Sequence, residues 1–287
     1  MNLKVIVQLV LLVTLPLSSF GGGEWLYYKH YPWVYDNLTK DWLYLIGNDG
    51  KVWAYRSGTS EWEEFKVYGW DEMYELWSQN SAPYGGINSL EEIKQAKENN
   101  ATFLNLAHNI TDLTPLSYLT TLTKLQLGEN SNNGFSDLSP LSKLTNLTEL
   151  FLRNNDVNSY ESISNLTNLE DLRRGLDNCN DISPLGSLTK LRILSKGGDI
   201  STSPTERMSD LSPLSNLDNL EEVYFSHLPI SDISPLANHT KLKKIHFQVC
   251  MIADLSPLEN LINIEELNLI DNSVSDISSL LNLINLK

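Results

Sequence analysis

Five histidines are the residues of this chain that could serve in acid–base chemistry: His30, His108, His227, His239 and His246. Serine and aspartate lie near His227 and His246 in the sequence, as a nucleophilic triad requires. The same serines and aspartates recur at one place in successive repeats, where turn and capping roles account for them. The chain also lacks HExxH, CxxC, P-loop and glycine-rich dinucleotide signatures. We therefore expect no catalytic residues, no cofactor and no enzymatic activity.

An aspartate column also has the chemistry to bind a cation, since carboxylates are calcium ligands. Its members are Asp112, Asp137, Asp181, Asp210, Asp232, Asp254 and Asp276. One carboxylate per repeat, about 5 Å from the next, suits the opening of a turn better than a calcium cage. The Ser/Thr-Pro-Leu that follows most of them predicts an N-cap hydroxyl and a proline at the first position of a short helix. We expect turns here and no metal site.

The elements that position these residues follow a fixed period. Six prolines and two serines mark the repeats, at Pro115, Pro140, Ser162, Pro184, Pro213, Pro235, Pro257 and Ser279. Successive markers are 25, 22, 22, 29, 22, 22 and 22 residues apart. A period of this length indicates a solenoid, in which each repeat completes its core only against its neighbours. We expect about eight repeats over residues 103–287, the last one incomplete.

Each repeat begins with a segment that alternates apolar and outward residues, which predicts a strand. The expected inward pairs are Leu104/Leu106, Leu125/Leu127, Leu150/Leu152, Val223/Phe225, Ile245/Phe247 and Leu267/Leu269. Leucines three apart then predict a 3₁₀-like or loosely helical return. Asn109, Asn130, Asn155 or Asn272 follows the strand in most repeats, and its amide can bridge the backbones of adjacent coils.

The 22-residue length and the register NxIxDLSPLxxLxxLxxLxL resemble internalin-type leucine-rich repeats of bacterial surface proteins, over about residues 85–287. The resemblance implies an α/β solenoid: a leucine-rich-repeat arc of parallel strands with short 3₁₀ returns. It also implies a helical N-terminal cap, which we place at residues 89–102. Ser89-Leu-Glu-Glu92 resembles a capping box that opens a helix over about Leu90–Glu98. The resemblance implies no particular partner.

Three irregularities interrupt the pattern. Insertions near Ser131–Gly134 and within about Lys196–Arg207 predict loops, either tolerated surface loops or ligand contacts. The fourth repeat places Arg174 where an inward leucine belongs, so either the strand register shifts or the charge pairs with an acid such as Asp177. The last repeat stops at Lys287 without a polar cap, which favours a truncated chain.

The first residues predict export. One Lys4, an apolar run from Val5 to Leu17 and small residues up to Gly23 are typical of a secretory signal, which we assign to residues 1–21. An uncleaved membrane anchor is the alternative, although the apolar run is short for a span. Removal of Lys4 changes the formal charge from −15 to −16 (−15 − 1), an acidic balance that argues against nucleic acid and anionic membranes. We expect a secreted, cell-surface or periplasmic protein with no membrane span after cleavage.

The two cysteines of this exported chain do not suit a disulfide. Cys179 and Cys250 fall in the fourth and seventh coils, about 14 Å apart at ~4.8 Å per strand. A disulfide needs Cα atoms within about 7 Å of each other. We therefore expect two small buried core residues.

All seven tryptophans lie between Trp25 and Trp77, which marks a separate N-terminal region. Alternating aromatic residues and the Gly47-Asn-Asp-Gly50 turn predict a small antiparallel β module over residues 24–66. Residues 67–88 then form a linker with a short helix at about Tyr68–Gln79. The aromatic residues either build a small core or stack on glycan, as in cell-wall-binding hairpins that they loosely resemble. The candidates for glycan stacking are Trp25, Tyr28, Trp42 and Tyr44.

The primary hypothesis is an exported leucine-rich-repeat protein whose strand face holds a protein, or a glycan, partner. The candidate partner-binding residues are Gln126, Phe151, Arg153, Arg173, Tyr224, His246, Gln248 and Asn268. Phe151 and Tyr224 beside arginines have the composition of interface anchors, although they also fit an ordinary solvated sheet. The alternatives are an envelope protein whose aromatic module binds polysaccharide while the repeats act as a spacer, and a structural surface-layer protein.

Overall fold

The computed structural model describes the repeat region and the backbone of five earlier strands. The described residues are 25–27, 33–36, 41–48, 51–56, 61–65, 69–106, 110–128, 134–152, 157, 159–173, 179–197 and 208–287, with backbone alone before residue 69. The chain divides into two compact units, Met1–Leu76 and Trp77–Lys287. The signal segment, Tyr28, Arg153, Arg174, Asp177 and Asn109, Asn130 and Asn155 lie outside the described residues.

The first unit contains a five-stranded antiparallel sheet in sequential order. Its strands are β1 (Trp25–Tyr27), β2 (Trp33–Asp36), β3 (Asp41–Asn48), β4 (Lys51–Arg56) and β5 (Glu61–Phe65). Asn48 pairs with Lys51 across the β3–β4 hairpin, which is where the Gly-Asn-Asp-Gly motif predicted a turn. Helix α1 follows at Trp70–Gln79.

The second unit is built on eight parallel strands in one sheet, with neighbours in sequence also neighbours in space. The strands are β6 (Phe103–Leu106), β7 (Lys124–Leu127), β8 (Glu149–Leu152), β9 (Asp171–Arg173), β10 (Ile193–Gly197), β11 (Glu222–Ser226), β12 (Lys244–Gln248) and β13 (Glu266–Asn268). This arrangement confirms the predicted leucine-rich-repeat solenoid.

The returns between the strands are short 3₁₀ helices, as predicted. They span Thr114–Tyr118, Ser139–Lys143, Glu161–Ile163, Ser183–Ser187, Ser212–Leu214, Ser234–Leu236, Ser256–Leu258 and Ser278–Leu280. The predicted capping role of the serine hydroxyls is wrong, because the position before each helix is a leucine, an isoleucine or Tyr160. In coil 2, for example, Asp137 Oδ1 accepts the Ser139 N–H at 2.8 Å while Ser139 Oγ donates to Asp137 Oδ2. The aspartates that open the turns therefore also cap the returns.

The predicted inward pairs form a continuous core. Leu125, Leu150, Val223 and Ile245 are fully buried, and Phe225 stacks on Phe247 with ring centroids 5.4 Å apart. In the last coil, Leu267 and Leu269 are only half-buried. Asn272 bridges coils as expected, since its Nδ2 donates to Phe247 O at 2.7 Å and its Oδ1 accepts the Ile252 N–H at 3.1 Å. The core is thus shared between coils.

Both cysteines are free and buried, as predicted. Lys196, by contrast, was assigned to the start of an insertion, and that assignment is wrong. It lies within β10, aligned with inward Phe225 of β11, and its side chain is only 1% exposed. Its Nζ lies 3.4 Å from Gly197 O. The strand therefore continues through Lys196 because the pairing with β11 runs to Gly197.

Helix α2 (Ile87–Glu98) precedes the first repeat strand. The predicted capping box is wrong, because the helix begins two residues before Ser89. Ser89 is fully buried inside the first turn, and its Oγ donates to Gly85 O at 3.1 Å instead of capping an N–H. Gly86, at φ 88°, makes the left-handed turn that leads into the helix.

Aromatic side chains seal the first coil of the repeat unit. Trp77 is 3% exposed, and its ring centroid lies 5.9 Å from those of both Tyr84 and Tyr118. Burial, together with the nearby Asp112 carboxylate, raises the pKa of Tyr84 to about 12. The last tryptophan of the chain is therefore part of the repeat core.

One polar residue interrupts a leucine column of this core. His239 occupies the position filled by Leu217 in the preceding coil and Leu261 in the following one, and it is 1% exposed. Its Nε2 lies 3.0 Å from Leu214 O, but its buried Nδ1 has no hydrogen-bond partner. Leu214 O also accepts the Leu217 N–H at 2.9 Å.

We predict that His239→Leu stabilises the protein by about 1 kcal/mol, equivalent to a rise in Tm of about 2–4 °C. The substitution removes a buried unpaired nitrogen, and Leu214 O keeps its backbone donor. The matched control is Leu217→His, which introduces the same imidazole one coil earlier and should destabilise. Urea unfolding followed by circular dichroism measures both. A loss of stability in His239→Leu would contradict the prediction.

Candidate functional site

The solvent-facing side of the eight-stranded sheet, here called the strand face, carries most of the polar and aromatic candidates. Side chains alternate along a strand, so residues between the inward positions project away from the core. The parallel register aligns Gln126, Phe151, Arg173, Tyr224, His246 and Asn268 in one column across the sheet. All six are half-buried, and Gln248 lies two residues beyond His246 on the same side.

A second column, two residues earlier in each strand, shares the strand face. It includes Phe103, Lys124, Glu149, Asp171, Glu222, Lys244 and Glu266. These residues were not among the predicted binding residues, although the period of two places residues i and i − 2 on one side of a strand. The two-residue alternation of side chains along a strand was therefore the sequence signal that could have identified them.

Four residues of coils 1–4 form an alternating row, here called the aromatic–cation row: Phe103, Lys124, Phe151 and Arg173. Lys124 Nζ lies 5.8 Å from the Phe103 ring centroid and 5.4 Å from that of Phe151. The Arg173 guanidinium carbon lies 5.8 Å from the Phe151 centroid. These are cation–π distances, so each ring is held beside at least one cation.

Carboxylates fix the two cations of this row. Lys124 Nζ lies 2.6 Å from Glu149 Oε2. Arg173 binds Asp171 through two contacts of 2.8 Å, from Nε to Oδ1 and from Nη2 to Oδ2. Burial raises the pKa of the Asp171 carboxyl, while the Arg173 guanidinium opposes that shift. A bidentate pair of this kind restricts the guanidinium to one orientation.

Coils 6–8 carry a second group, here called the Tyr–His cluster: Tyr224, His246, Glu222, Lys244 and Glu266. The Tyr224 and His246 rings meet edge to face with centroids 4.9 Å apart. Tyr224 donates its hydroxyl proton to Glu222 Oε2 at 2.6 Å, and Lys244 Nζ lies 3.3 Å from Glu222 Oε1. His246 Nε2 lies 3.6 Å from Glu266 Oε2. Ser195 on β10 lies between the row and the cluster in the outward column.

The electrostatics of the cluster keep the phenol neutral. Burial and the hydrogen bond to the Glu222 carboxylate raise the pKa of Tyr224. Burial alone would raise the pKa of Glu222, but the bonds from Tyr224 and Lys244 leave it below its ordinary value. The Tyr224 hydroxyl is therefore a hydrogen-bond donor rather than a base, which suits binding more than proton transfer.

The described residues contain neither a metal-ligand cluster nor a membrane-spanning helix. Within them, no group of three His, Cys, Asp or Glu side chains is placed to hold a metal ion. Among the helices that the structure describes, none has the length and apolar character to cross a membrane. Of the proposed glycan-stacking residues, Trp25 lies on β1 and Trp42 and Tyr44 lie on β3.

Solved structures share this fold. An internalin (inlF) from Listeria monocytogenes is 32% identical over 67% of this chain and 54% of its own, with a TM-score of 0.58. The repeat solenoid is of the internalin type. An internalin C2 (inlC2) from the same species is 28% identical over 74% of this chain and 93% of its own, with a TM-score of 0.63. The chain thus spans about half the length of the first internalin and nearly all of the second.

A more distant structure shows the fold alone. A leucine-rich-repeat protein of Leptospira interrogans is 21% identical over 67% of this chain and 49% of its own, with a TM-score of 0.57. No protein-family model matches the chain, and no curated protein sequence does. The similarity of the repeats to those of internalins is therefore supported by the solved structures and by the repeat register.

A ladder of charges borders the strand face, one residue before each of the strands β9 to β13. Glu221 lies between Arg192, with Nε 2.8 Å from Oε1, and Lys243, with Nζ 2.9 Å from Oε2. Hydrogen bonds from Arg192 and Lys243 lower the pKa of Glu221 to about 2 from its ordinary value of 4.5. The ion pairs join three successive coils at positions where neighbouring strands also meet.

We predict that Glu221 makes stability depend on pH between about 5 and 2. The folded-state pKa is the lower one, so the stabilisation is present above pH 4.5 and is lost as the pH falls towards 2. Glu221→Gln should therefore lose less stability than the wild-type protein over this window. Urea unfolding at several pH values measures the difference, and Glu259→Gln at an exposed return position is the control. Identical pH slopes for Glu221→Gln and wild type would contradict the prediction.

Proposed function

We propose that the chain is an exported binding protein whose strand face holds a protein partner. The observation that carries the proposal is the preorganised pair of groups on that face, the aromatic–cation row and the Tyr–His cluster. Together they extend across eight strands, a length of roughly 34 Å at ~4.8 Å per strand. A surface of this length suits a folded or extended macromolecule better than a small metabolite.

The composition of the face favours a protein partner. Tyrosine, phenylalanine and arginine are enriched in the central parts of protein interfaces and supply most of the binding energy there. Phe151 and Tyr224 are each held by neighbours on adjacent coils, at the distances given above. Side chains that are ordered before binding lose less conformational entropy when the partner arrives.

The export of the protein and the absence of catalysis belong to the same proposal. Residues 1–21 are assigned to a secretory signal on their apolar run and the small residues after it. The formal charge of −15 disfavours nucleic acid and anionic membranes as partners. The ionisable groups of the strand face pair with one another, which serves a fixed recognition surface rather than a reaction centre.

We predict that the double variant Phe151→Ala/Tyr224→Ala weakens partner capture at least tenfold, because each truncation removes an interface anchor. The partner is first isolated from the native extracellular fluid on immobilised protein, and its affinity for each variant is then measured by surface plasmon resonance. The control is Met251→Ala/Ile262→Ala, which truncates two exposed apolar side chains outside the strand columns. Unchanged affinity in the first variant, or an equal loss in the control, would contradict the proposal.

The five-stranded antiparallel sheet supports a second candidate function. Its strands β1 and β3 carry Trp25, Trp42 and Tyr44, and exposed aromatic rings stack on sugars. In this alternative the module attaches the protein to envelope polysaccharide and the repeats act as a spacer. Retention of the full chain on cell-wall polysaccharide resin, lost in Trp42→Ala/Tyr44→Ala and kept in Phe151→Ala/Tyr224→Ala, would favour it over the strand-face proposal.

A further inference from the structure

The turn that follows each of the strands β11, β12 and β13 contains one residue in a left-handed backbone conformation. His227, Val249 and Asp271 hold this position in successive coils, with φ of 57°, 53° and 55°. Backbone hydrogen bonds stack the turns on one another. The His227 N–H donates to Gln248 O, and the Val249 N–H donates to Ile270 O, both at 2.9 Å. The fold of coils 6–8 therefore imposes a positive φ at this position, whichever residue the sequence supplies.

Val249 is the unexpected residue at this position. Histidine and aspartate are among the residues that adopt a positive φ most readily, whereas a β-branched residue is strained there. The Val249 side chain is 40% exposed, so burial in the core does not account for the valine. Strained residues persist only where the surrounding structure imposes their conformation, and they cluster at functional sites. The conformation of Val249 therefore points to a role other than the folding of its own coil.

Two further exposed apolar residues adjoin Val249. Met251 follows it by two residues and is 58% exposed, and Ile270, whose carbonyl accepts the Val249 N–H, is 59% exposed. These three residues are here called the Val249 patch. The patch lies on the turns of coils 7 and 8, outside the strand columns, so it is a surface separate from the strand face.

The surroundings of the patch are acidic. Asp271 holds the equivalent turn position in the next coil, and Asp254 comes three residues after Met251; both aspartates are exposed. Asp254 accepts hydrogen bonds from the serine that begins the next return, but a neutral donor leaves its negative charge in place. The turn segments 248–254 and 270–276 include no lysine or arginine. Charge complementarity therefore favours a partner that brings positive charge next to its apolar side chains.

We propose that the Val249 patch binds a peptide segment of a partner protein in which apolar side chains are flanked by lysine or arginine. The apolar side chains cover Val249, Met251 and Ile270, and the basic residues pair with the aspartates beside them. A second copy of this chain would bring the same acidic surroundings against themselves, and an anionic lipid surface would be repelled. The imposed backbone conformation fixes the direction of the Val249 side chain before binding, which lowers the entropy lost on association.

The strain is tested without a partner. Val249→Asn removes the β-branched residue from the left-handed position and should raise the Tm by about 2 °C or more, because asparagine adopts a positive φ readily. The matched controls His227→Val and Asp271→Val introduce valine at the same position of the neighbouring coils and should lower the Tm. Thermal unfolding followed by circular dichroism measures all three variants. An unchanged or lower Tm in Val249→Asn would overturn the proposal.

Binding is tested with a fluorescein-labelled peptide, Ser-Lys-Leu-Phe-Arg-Ser, titrated into the full-length protein and followed by fluorescence anisotropy. Val249→Asn and Met251→Ser should each weaken binding by about fivefold or more, because each removes apolar surface from the contact. Ile262→Ser, at an exposed apolar position elsewhere in the same coil, should not. A peptide with serines in place of Leu-Phe should not bind. Equal losses in Val249→Asn and Ile262→Ser, or no binding to the wild-type protein, would overturn the proposal.

The charge requirement is tested with the same peptide. Asp254→Asn/Asp271→Asn should weaken binding and reduce its dependence on salt, because two opposite charges are lost from the contact. The matched control Glu161→Gln/Glu259→Gln removes two charges at exposed positions of the returns. An equal loss in both double variants would reduce the interaction to attraction by the acidic protein as a whole and would overturn the proposal.

Two further measurements separate this proposal from its alternatives. Sedimentation velocity of the protein alone examines self-association, and a dimer that Val249→Asn dissociates would assign the patch to a second copy and overturn the proposal. Phe151→Ala/Tyr224→Ala should bind the peptide as the wild-type protein does. Failure of the Val249 proposal is therefore distinguishable from failure of the strand-face proposal.

Discussion

The shared register of neighbouring strands is the constraint on which the rest of the repeat unit depends. Leu125 pairs with Leu150 and Val223 pairs with Ile245, so at these inward positions one apolar residue lies beside another in the next coil. A slip of one residue would turn every inward side chain of a strand towards solvent. No coil can bury its own leucines, and the register is therefore what turns eight amphipathic segments into one core.

This constraint determines where the repeats can vary. The longest interval between repeat markers, 29 residues, separates Pro184 from Pro213. Even so, β10 and β11 pair over five residues from Ile193↔Glu222 to Gly197↔Ser226. The extra residues are therefore accommodated after the strand rather than within it. Lys196 also shows that strand pairing determines which positions face inward, because its position stays inward although the residue is charged.

The sequence predicted the features that repeat, because eight copies test the same physical requirement. The period, the inward pairs, the 3₁₀ returns and the buried free cysteines all follow from columns of equivalent residues. Single exceptions were less predictable. Lys196 was assigned to a loop because the interval between Pro184 and Pro213 exceeds the 22-residue period, and Ser89 was assigned to a cap because its spacing from Glu92 matched a capping box. In both cases the surrounding chain geometry, which no local pattern records, decided the outcome.

For the candidate binding residues, too, the sequence predicted the shared column but not the individual contacts. The outward column was found from the sequence, since it alternates with the inward one. The contacts within it depend on neighbouring coils and on the residue two positions earlier. The Tyr224–Glu222 hydrogen bond lies within one strand, but the Tyr224–His246 and Lys244–Glu222 contacts cross between coils. The sequence of a single repeat therefore cannot show which of its polar residues are fixed by contacts with neighbouring coils.

A solenoid offers its backbone for hydrogen bonding only at the edge of its sheet. In an interior strand such as β11, both sides of the backbone are occupied by β10 and β12, so recognition there depends on side chains alone. Specificity on the strand face can therefore change by substitution without any change in the scaffold.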